Sequence, residues 1–409
     1  MAVLCATGAA RAQTLKTIWS FPGSNGDGQE PLSPPVFDGS GNIYGTTAIG
    51  GASQFGTVFK LTPPNGGGPW TESLLYSFAG ADGQQPNDIV FGKGGALYGT
   101  TELGGLGSCY QGCGTAFQLT PGNDGWTYAM LYDFMSPGDG ESPGNLQLGK
   151  NGALYGTTVT GGPPSTHCSQ VGCGTFFQLS QQGGSWAKTV LHDFPASTTD
   201  GRGPNADIVV DSKGNVYGTT YSGGSLFYGT VFEFSPPAKK GGAWTETILH
   251  NFSGSKDGGY PIGGLTLGAG GVIYGTGSYS GVPNQSGTAF RLTPPAKKGG
   301  AWAYTVVRTF NGDKNGATPA TTMALDPNGN LYGTAWNGGS TRCYLGCGLV
   351  FKLQPVSGKA VWKETVLHDW PNSQQDPNAT IVMFHDELLY GTTLFLGANN
   401  VGSVFTLTP

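Results

Sequence analysis

Charged side chains are scarce in this sequence. Only 11% of its 409 residues are Asp, Glu, Lys or Arg, against about a quarter in an average globular protein. That shortage excludes a charge-rich disordered chain, and it excludes a long coiled coil, which would draw about half its residues from Ala, Glu, Lys, Leu and Arg. The 20 Lys and Arg are scattered and the formal net charge is −5, so the basic footprint of a nucleic-acid-binding surface is missing. No apolar run reaches the roughly 18 residues that mark a membrane span. Amphipathic helical periodicity is absent as well. What the chain has instead is 73 glycines and 27 prolines, and since glycine does not fall at every third position, collagen is excluded too.

Met1 to Ala12 (MAVLCATGAARA) is a short apolar stretch closing on Ala10-Arg11-Ala12. Small-x-small is the form that signal peptidase cuts, so residues 1–12 are expected to be a truncated signal peptide without its charged n-region, and the mature chain to begin at Gln13. Cys5 has neither the small residue before it nor the long apolar stretch upstream that lipid attachment needs. The other six cysteines fall as Cys109 with Cys113, Cys168 with Cys173, and Cys343 with Cys347. Three close pairs with none left over read as local disulfides formed in an oxidising compartment. Zinc is the rival reading, and it would want paired CxxC knuckles or added histidines. Loops this small are worth only about 2 kcal/mol per bridge, so stiffening of individual loops is the expected role.

Internal repetition decides the fold class. Tyr-Gly-Thr recurs at Tyr44, Tyr98, Tyr155, Tyr217, Tyr274, Tyr332 and Tyr390, with spacings of 54, 57, 62, 57, 58 and 58 residues. A glycine-containing loop follows each copy, then a strand-like segment whose phenylalanine recurs as Phe59, Phe117, Phe177, Phe232, Phe290, Phe351 and Phe405. A further segment runs from a tryptophan such as Trp70 or Trp126 to an aromatic such as Phe78 or Phe134. Next comes Asp-Gly-x-x-Pro, at Asp27, Asp82, Asp139, Asp200 and Asp257, and a short apolar stretch leads back to the next Tyr-Gly-Thr. Four short strands per unit, repeated seven times, predict an all-β, seven-bladed β-propeller of four-stranded blades over residues 13–409. Leu15 to Phe21 matches the fourth strand of the unit, while Val404 to Pro409 matches the third. The N-terminal strand is therefore expected to complete the last blade and close the ring.

The pattern (L/I/V)YGTT..GG....GTVFKLTP, followed by W..T.L..F and DG..P, resembles the GloVer tandem-repeat family of bacterial proteins over essentially the whole mature chain. The resemblance implies secretion or cell-surface display, often with a C-terminal sorting anchor, and it brings no assigned catalytic residues. Because the sequence stops at Pro409 without such an anchor, a released protein is expected. Kelch repeats share Gly-Gly, Tyr and Trp, but their period is shorter and their order differs.

In a propeller the Gly-Gly loops and the Asp-Gly-x-x-Pro turns share one face, and the three cysteine pairs fall on it. The opposite face carries turns such as Asp211-Ser212-Lys213-Gly214 and the Pro-Pro-Ala-Lys-Lys-Gly-Gly linkers at 236–242 and 294–300, read as solvated connectors. His192, His250 and His368 occupy one repeat position that also accepts Trp19, Tyr76, Tyr132 and Arg308, which marks it as structural. His385 falls in a turn and His167 in a cysteine loop, so neither a histidine metal site nor a Ser/His/Asp triad is expected. The Asp-Gly turns lack the alternating oxygen ligands of a calcium loop. No cofactor or metal is expected.

The copies disagree just after Tyr-Gly-Thr-x. Tyr221, Tyr279, Trp336 and Phe395 lie there in blades 4 to 7, whereas blade 2 has Glu102 and neighbouring turns have Glu30 and Glu141. An aromatic arc facing an acidic one would suit stacking of a sugar ring and hydrogen bonding of its hydroxyls. The plainer alternative is that the aromatics fill a tapered channel and the glutamates are surface charges. Three functions follow: a secreted, monomeric, non-enzymatic propeller binding an extracellular glycan or protein; a glycan-cleaving enzyme with Glu102 and Glu30 or Glu141 as acid and base; and a structural matrix protein.

Overall fold

The computed structural model describes residues 13–24, 26–135, 137–165, 168, 171–194, 199–239, 241–279, 286–297, 299–312, 314–340, 346–370, 382–384, 388–395, 397 and 399–409. The expected leader at 1–12, Cys343, His167 and His385 lie outside them. Seven antiparallel sheets of four or five strands follow one another along the chain, with two short two-stranded pairings beside them among the described residues. Blade 1 runs outward through Val36–Phe37, Ile43–Thr47, Thr57–Thr62 and Thr71–Ser77. Blades 2 to 6 repeat this order. In blade 7 the order is Val382–Phe384, Leu388–Thr393, Ser403–Leu407 and, outermost, Leu15–Ser20. Leu15 lies opposite Leu407 and Ser20 opposite Ser403, so the N-terminal strand closes the ring as the sequence predicts. The chain is a seven-bladed β-propeller. Among the described residues no helix is long and apolar enough to cross a membrane.

The repeated residues explain the blade from within. The glycine of each Tyr-Gly-Thr faces the repeated phenylalanine across the sheet, as Gly45 faces Phe59 and Gly156 faces Phe177. A Cβ on Gly45 would stand 2.7 Å from Phe59 Cζ. Glycine is required there for space, because the ring lies over the strand where a side chain would start. All seven phenylalanines are buried, each worth roughly 1.5–3 kcal/mol. Hydroxyls tie the same strands at the rim: Thr47 to Thr57 (2.7 Å), Thr101 to Thr115 (2.9 Å), Thr158 to Thr175 (2.9 Å) and Thr220 to Thr230 (2.9 Å). Blade 6 replaces both members at once, with Ala335 and Leu349. Each outer strand also carries a bulge; in blade 1 Tyr76 pairs with Val58 but Leu74 with Phe59. Such bulges twist an edge strand away from unwanted pairing.

Neighbouring blades are joined by a backbone clasp. The residue before the proline of Asp-Gly-x-x-Pro is left-handed in six blades: Glu30, Gln85, Ser142, Gly203, Tyr260 and Thr318, with φ of 51–61°. Its N–H donates to a carbonyl of the preceding blade, at Val401, Phe55, Cys113, Cys173, Tyr228 and Ser286, over 2.8–3.2 Å. The proline then packs on the next residue of that blade, a glycine of φ 92–112°. A Cβ on that glycine would meet the proline Cδ at 2.5–2.9 Å in the five interfaces from Gly56–Pro86 to Gly287–Pro319. A non-glycine residue held left-handed costs about 1–3 kcal/mol, so at the five interfaces where that residue is not Gly203 the clasp hydrogen bond and the proline packing offset a standing strain.

The inner strands close on a polar axis. Asn145 Nδ2 donates to Asp207 Oδ1, Thr322 Oγ1 donates to Asp207 Oδ2 (3.1 Å), and the Asp88 N–H donates to Asn145 Oδ1 (3.0 Å). These bonds link blades 2, 3, 4 and 6, and burial raises the carboxyls of both Asp88 and Asp207.

Candidate functional site

The rim is built by the Gly-Gly loops. In blades 1, 2, 3, 4 and 6 the first glycine, at 50, 104, 161, 223 and 338, accepts at its carbonyl the N–H of the glycine that opens the third strand, over 2.9–3.1 Å. The residues between are a closed loop whose length the copies vary freely. Disulfides join Cys109 to Cys113 and Cys168 to Cys173, and Cys347 is also disulfide-bonded. The pairing expected for Cys343 falls outside the described residues. Cys113 and Cys173 are the residues whose carbonyls accept the clasp from the next blade. Those two bridges therefore fix a blade-to-blade contact as well as stiffening their own loops.

The aromatic arc gathers around a residue that the sequence does not single out. Tyr260, left-handed before Pro261, packs on Tyr221 of blade 4 at 5.2 Å, on Tyr228 at 5.3 Å and on Tyr279 of blade 5 at 6.4 Å between ring centroids. Tyr221 and Tyr279 are each 38% exposed, and beside them Leu226 and Phe227 stand about half exposed. The Arg202 guanidinium lies 5.6 Å over the Phe227 ring, and its Nε and Nη2 are shielded without a hydrogen-bond partner. Burial, reinforced by Tyr228 and Tyr221, raises the Tyr260 hydroxyl above the ordinary phenol range. The signal for Tyr260 was its place: the position before the proline varies as Glu, Gln, Ser, Gly, Tyr and Thr, and only blade 5 puts an aromatic there.

The four predicted aromatics are not equivalent. Tyr221 and Trp336 directly follow the Tyr-Gly-Thr-x tetrapeptide, whereas in blades 5 and 7 that place is taken by buried Ser278 and Leu394. Tyr279 and Phe395 come one residue later, so they are not strand-equivalent to the other two. Tyr279 joins the cluster only because Tyr260 reaches it. No ring contact among the described residues joins Trp336 or Phe395 to the cluster, and the Trp336 Nε1 is shielded with no acceptor.

The acidic arc is dispersed. Glu102 is exposed on Leu97–Leu103. Glu141 pairs across its sheet with Thr160, whose hydroxyl donates to Glu141 Oε2 at 3.3 Å. Glu30 holds the clasp that closes the ring, and burial raises its carboxyl. No hydrogen bond or electrostatic contact among the described residues links any two of the three.

On the opposite face a groove of about 790 Å³ runs between blades 4 and 5, lined by Asp211, Tyr217, Glu233, Pro294 and Trp302 among others. The Tyr217 hydroxyl is already committed to Asp211 at 3.3 Å.

The Gloeobacter/Verrucomicrobia repeat model matches residues 8–167 and 107–344. No curated protein matches the chain. A fungal alcohol oxidase of the AA5 family, in complex with copper, aligns with a TM-score of 0.59 at 14% identity, over 98% of this chain and 77% of that one. A polysaccharide lyase of family PL25, an ulvan lyase, aligns with a TM-score of 0.56 at 12% identity, over 96% and 95%. The extracellular domain of a one-component system of B. thetaiotaomicron gives 0.54 at 11% identity, over 96% of this chain and 42% of that one. At such identities the likeness is one of fold alone.

Proposed function

The chain belongs to the Gloeobacter/Verrucomicrobia repeat family, and from that premise we propose a secreted propeller that binds an extracellular glycan on its cystine-bearing rim. The observation that carries this reading is the tyrosine cluster of blades 4 and 5, where Tyr221 and Tyr279 present ring surface to solvent around Tyr260. Sugar rings stack on such faces while hydroxyls meet the phenols at their edges. Trp336, Phe395 and Glu102 extend the site to blades 6, 7 and 2. Arg202, with two nitrogens unpaired beside Phe227, supports a preference for acidic sugars, since a buried guanidinium without an acceptor gains most from a carboxylate or sulfate. Disulfides fit an extracellular setting. A glycan-cleaving enzyme is the second reading, favoured by the raised carboxyl of Glu30, the property a general acid needs.

The test is binding and hydrolysis of acidic and neutral polysaccharides by residues 13–409, with Tyr260→Ala, Trp336→Ala and Glu102→Gln alongside. Tyr260→Ala should weaken binding by about tenfold or more, roughly 1.4 kcal/mol, and Trp336→Ala by less. Turnover abolished in Glu102→Gln would replace the binding reading with the enzymatic one. Silence across the panel would leave a protein ligand or a structural role.

A further inference from the structure

At the interfaces described below, three repeat positions meet beneath the rim. The first is the outer-strand residue two before the closing aromatic. The second is the Asp of the Asp-Gly turn, and the third is the residue two after the leading tryptophan of the next blade. At the interface of blades 1 and 2 they are Tyr76, Asp82 and Tyr128, with both hydroxyls donating to Asp82. Between blades 2 and 3, Tyr132 and Lys188 meet Asp139. Between blades 4 and 5, His250 faces Asp257 Oδ2 and Tyr304 donates to the Asp257 carbonyl. In each of these the neighbouring blade brings an O–H or N–H donor.

Between blades 3 and 4 it brings a carboxylate. His192 Nε2 lies 3.3 Å from Asp200 Oδ2 and 3.6 Å from Glu246 Oε2, and the three donor atoms all lie within 4.8 Å of one another. Asp200 Oδ1 accepts the Gly201 N–H at 2.6 Å, which leaves Oδ2 facing the imidazole. Glu246 Oε1 is shielded from solvent and has no hydrogen-bond partner. Phe194 and Phe234 wall the imidazole at 4.9 and 5.0 Å. The three side chains are 23%, 8% and 17% exposed, so water reaches the edge of the cluster.

The geometry points to a divalent transition-metal site held by His192 Nε2, Asp200 Oδ2 and Glu246 Oε2, with water completing the coordination. Bonds of about 2.0–2.2 Å in a tetrahedron place ligand atoms about 3.3–3.6 Å apart, which matches the two separations from His192 Nε2, 3.3 and 3.6 Å. One imidazole and two carboxylates suit Zn²⁺ first and Mn²⁺ or Fe²⁺ after it. A bound ion would neutralise two carboxylates that meet only one imidazole, and it would staple blade 3 to blade 4. Repetition alone marks the His192 position as structural, because other copies fill it with Trp, Tyr or Arg. Its partners at this interface lie 8 and 54 residues further along the chain, and no short motif announces them.

Isothermal titration of the chelator-treated full chain with Zn²⁺ alone tests this. The expected result is one ion per chain with a thermal midpoint raised by a few degrees. Affinity should fall by about 100-fold or more in Glu246→Gln. It should fall likewise in the double variant His192→Tyr with Glu246→Tyr, which installs the side chains of the blade 1–2 interface and so keeps a packing this fold already uses. His250→Tyr should leave binding unchanged. No stoichiometric binding, binding that survives the double variant, or binding lost in His250→Tyr would each overturn the assignment.

Discussion

The interface between blades 1 and 2 and the one between blades 7 and 1 use the same three positions, yet the neighbouring blade brings a hydroxyl to the turn aspartate in the first and a second carboxyl in the other. Tyr76 donates to Asp82 Oδ2 at 2.5 Å, Tyr128 donates to the Asp82 carbonyl at 2.7 Å, and the two rings stack at 4.5 Å. At the closing interface the positions hold Trp19, Asp27 and Glu72. Trp19 Nε1 is shielded without an acceptor, and the Asp27 and Glu72 carboxyls meet each other away from solvent. The backbone clasp is the same in both, with Gln85 donating to Phe55 and Glu30 to Val401. The propeller thus separates two jobs: a fixed main-chain lock that makes every interface alike, and a side-chain triad that each interface can spend differently.

The largest effect expected is on the lock. Gly56→Ala and Gly402→Ala each put a Cβ against a proline, Pro86 or Pro31, at a backbone of φ 97° or 112°. Both should cost about 3 kcal/mol in denaturant titrations, alike at the two interfaces. A clear inequality would mean that the lock is not shared. The triads should diverge. Asp82→Ala strands the Tyr76 hydroxyl and the Ala79 N–H, at about 2 kcal/mol, whereas Asp27→Ala removes one of two facing carboxyls and should cost less than about 1 kcal/mol. Equal losses in the same titration would refute the contrast.

The smallest effect is in pH. Burial, with Asp27's charge adding to it, pushes the Glu72 carboxyl up to about 8. In the unfolded chain such a group titrates near 4.3, so the folded protein keeps a proton that the unfolded chain has released. Its stabilising contribution is complete below that lower value and is lost as pH rises towards 8. Glu72→Gln should flatten the decline in thermal midpoint between pH 5 and 8 and leave the variant the more stable of the two at pH 8. An unchanged slope would show that the carboxyl is ionised at neutral pH.

What was legible in the sequence is what each repeat does within itself. Gly45 under Phe59, Thr47 against Thr57 and the outer strand Leu15–Ser20 all act through neighbouring strands of one sheet, and repetition displays the first of these constraints seven times. The site depends on meetings between blades. Tyr260 reaches Tyr221, and Glu246 reaches His192, across a boundary where the residues are 39 and 54 positions apart. A periodic pattern shows which positions vary there, but not which variants touch. The left-handed backbone before each proline was equally silent, since Glu30, Gln85 and Thr318 are ordinary residues in an unusual conformation. Aligning the copies on that proline would have brought Tyr260 forward.

The strand Leu15–Ser20 has a further consequence for how the molecule comes to be. Thr406 Oγ1 reaches the Lys16 carbonyl across 390 residues of sequence, so blade 7 cannot be finished until Ser403–Leu407 has left the ribosome. Blades 1 to 6 can stack in order of synthesis as local units. Throughout that time the first strand waits as an unpaired edge, and the ring is an open crescent whose last step carries the highest contact order in the protein.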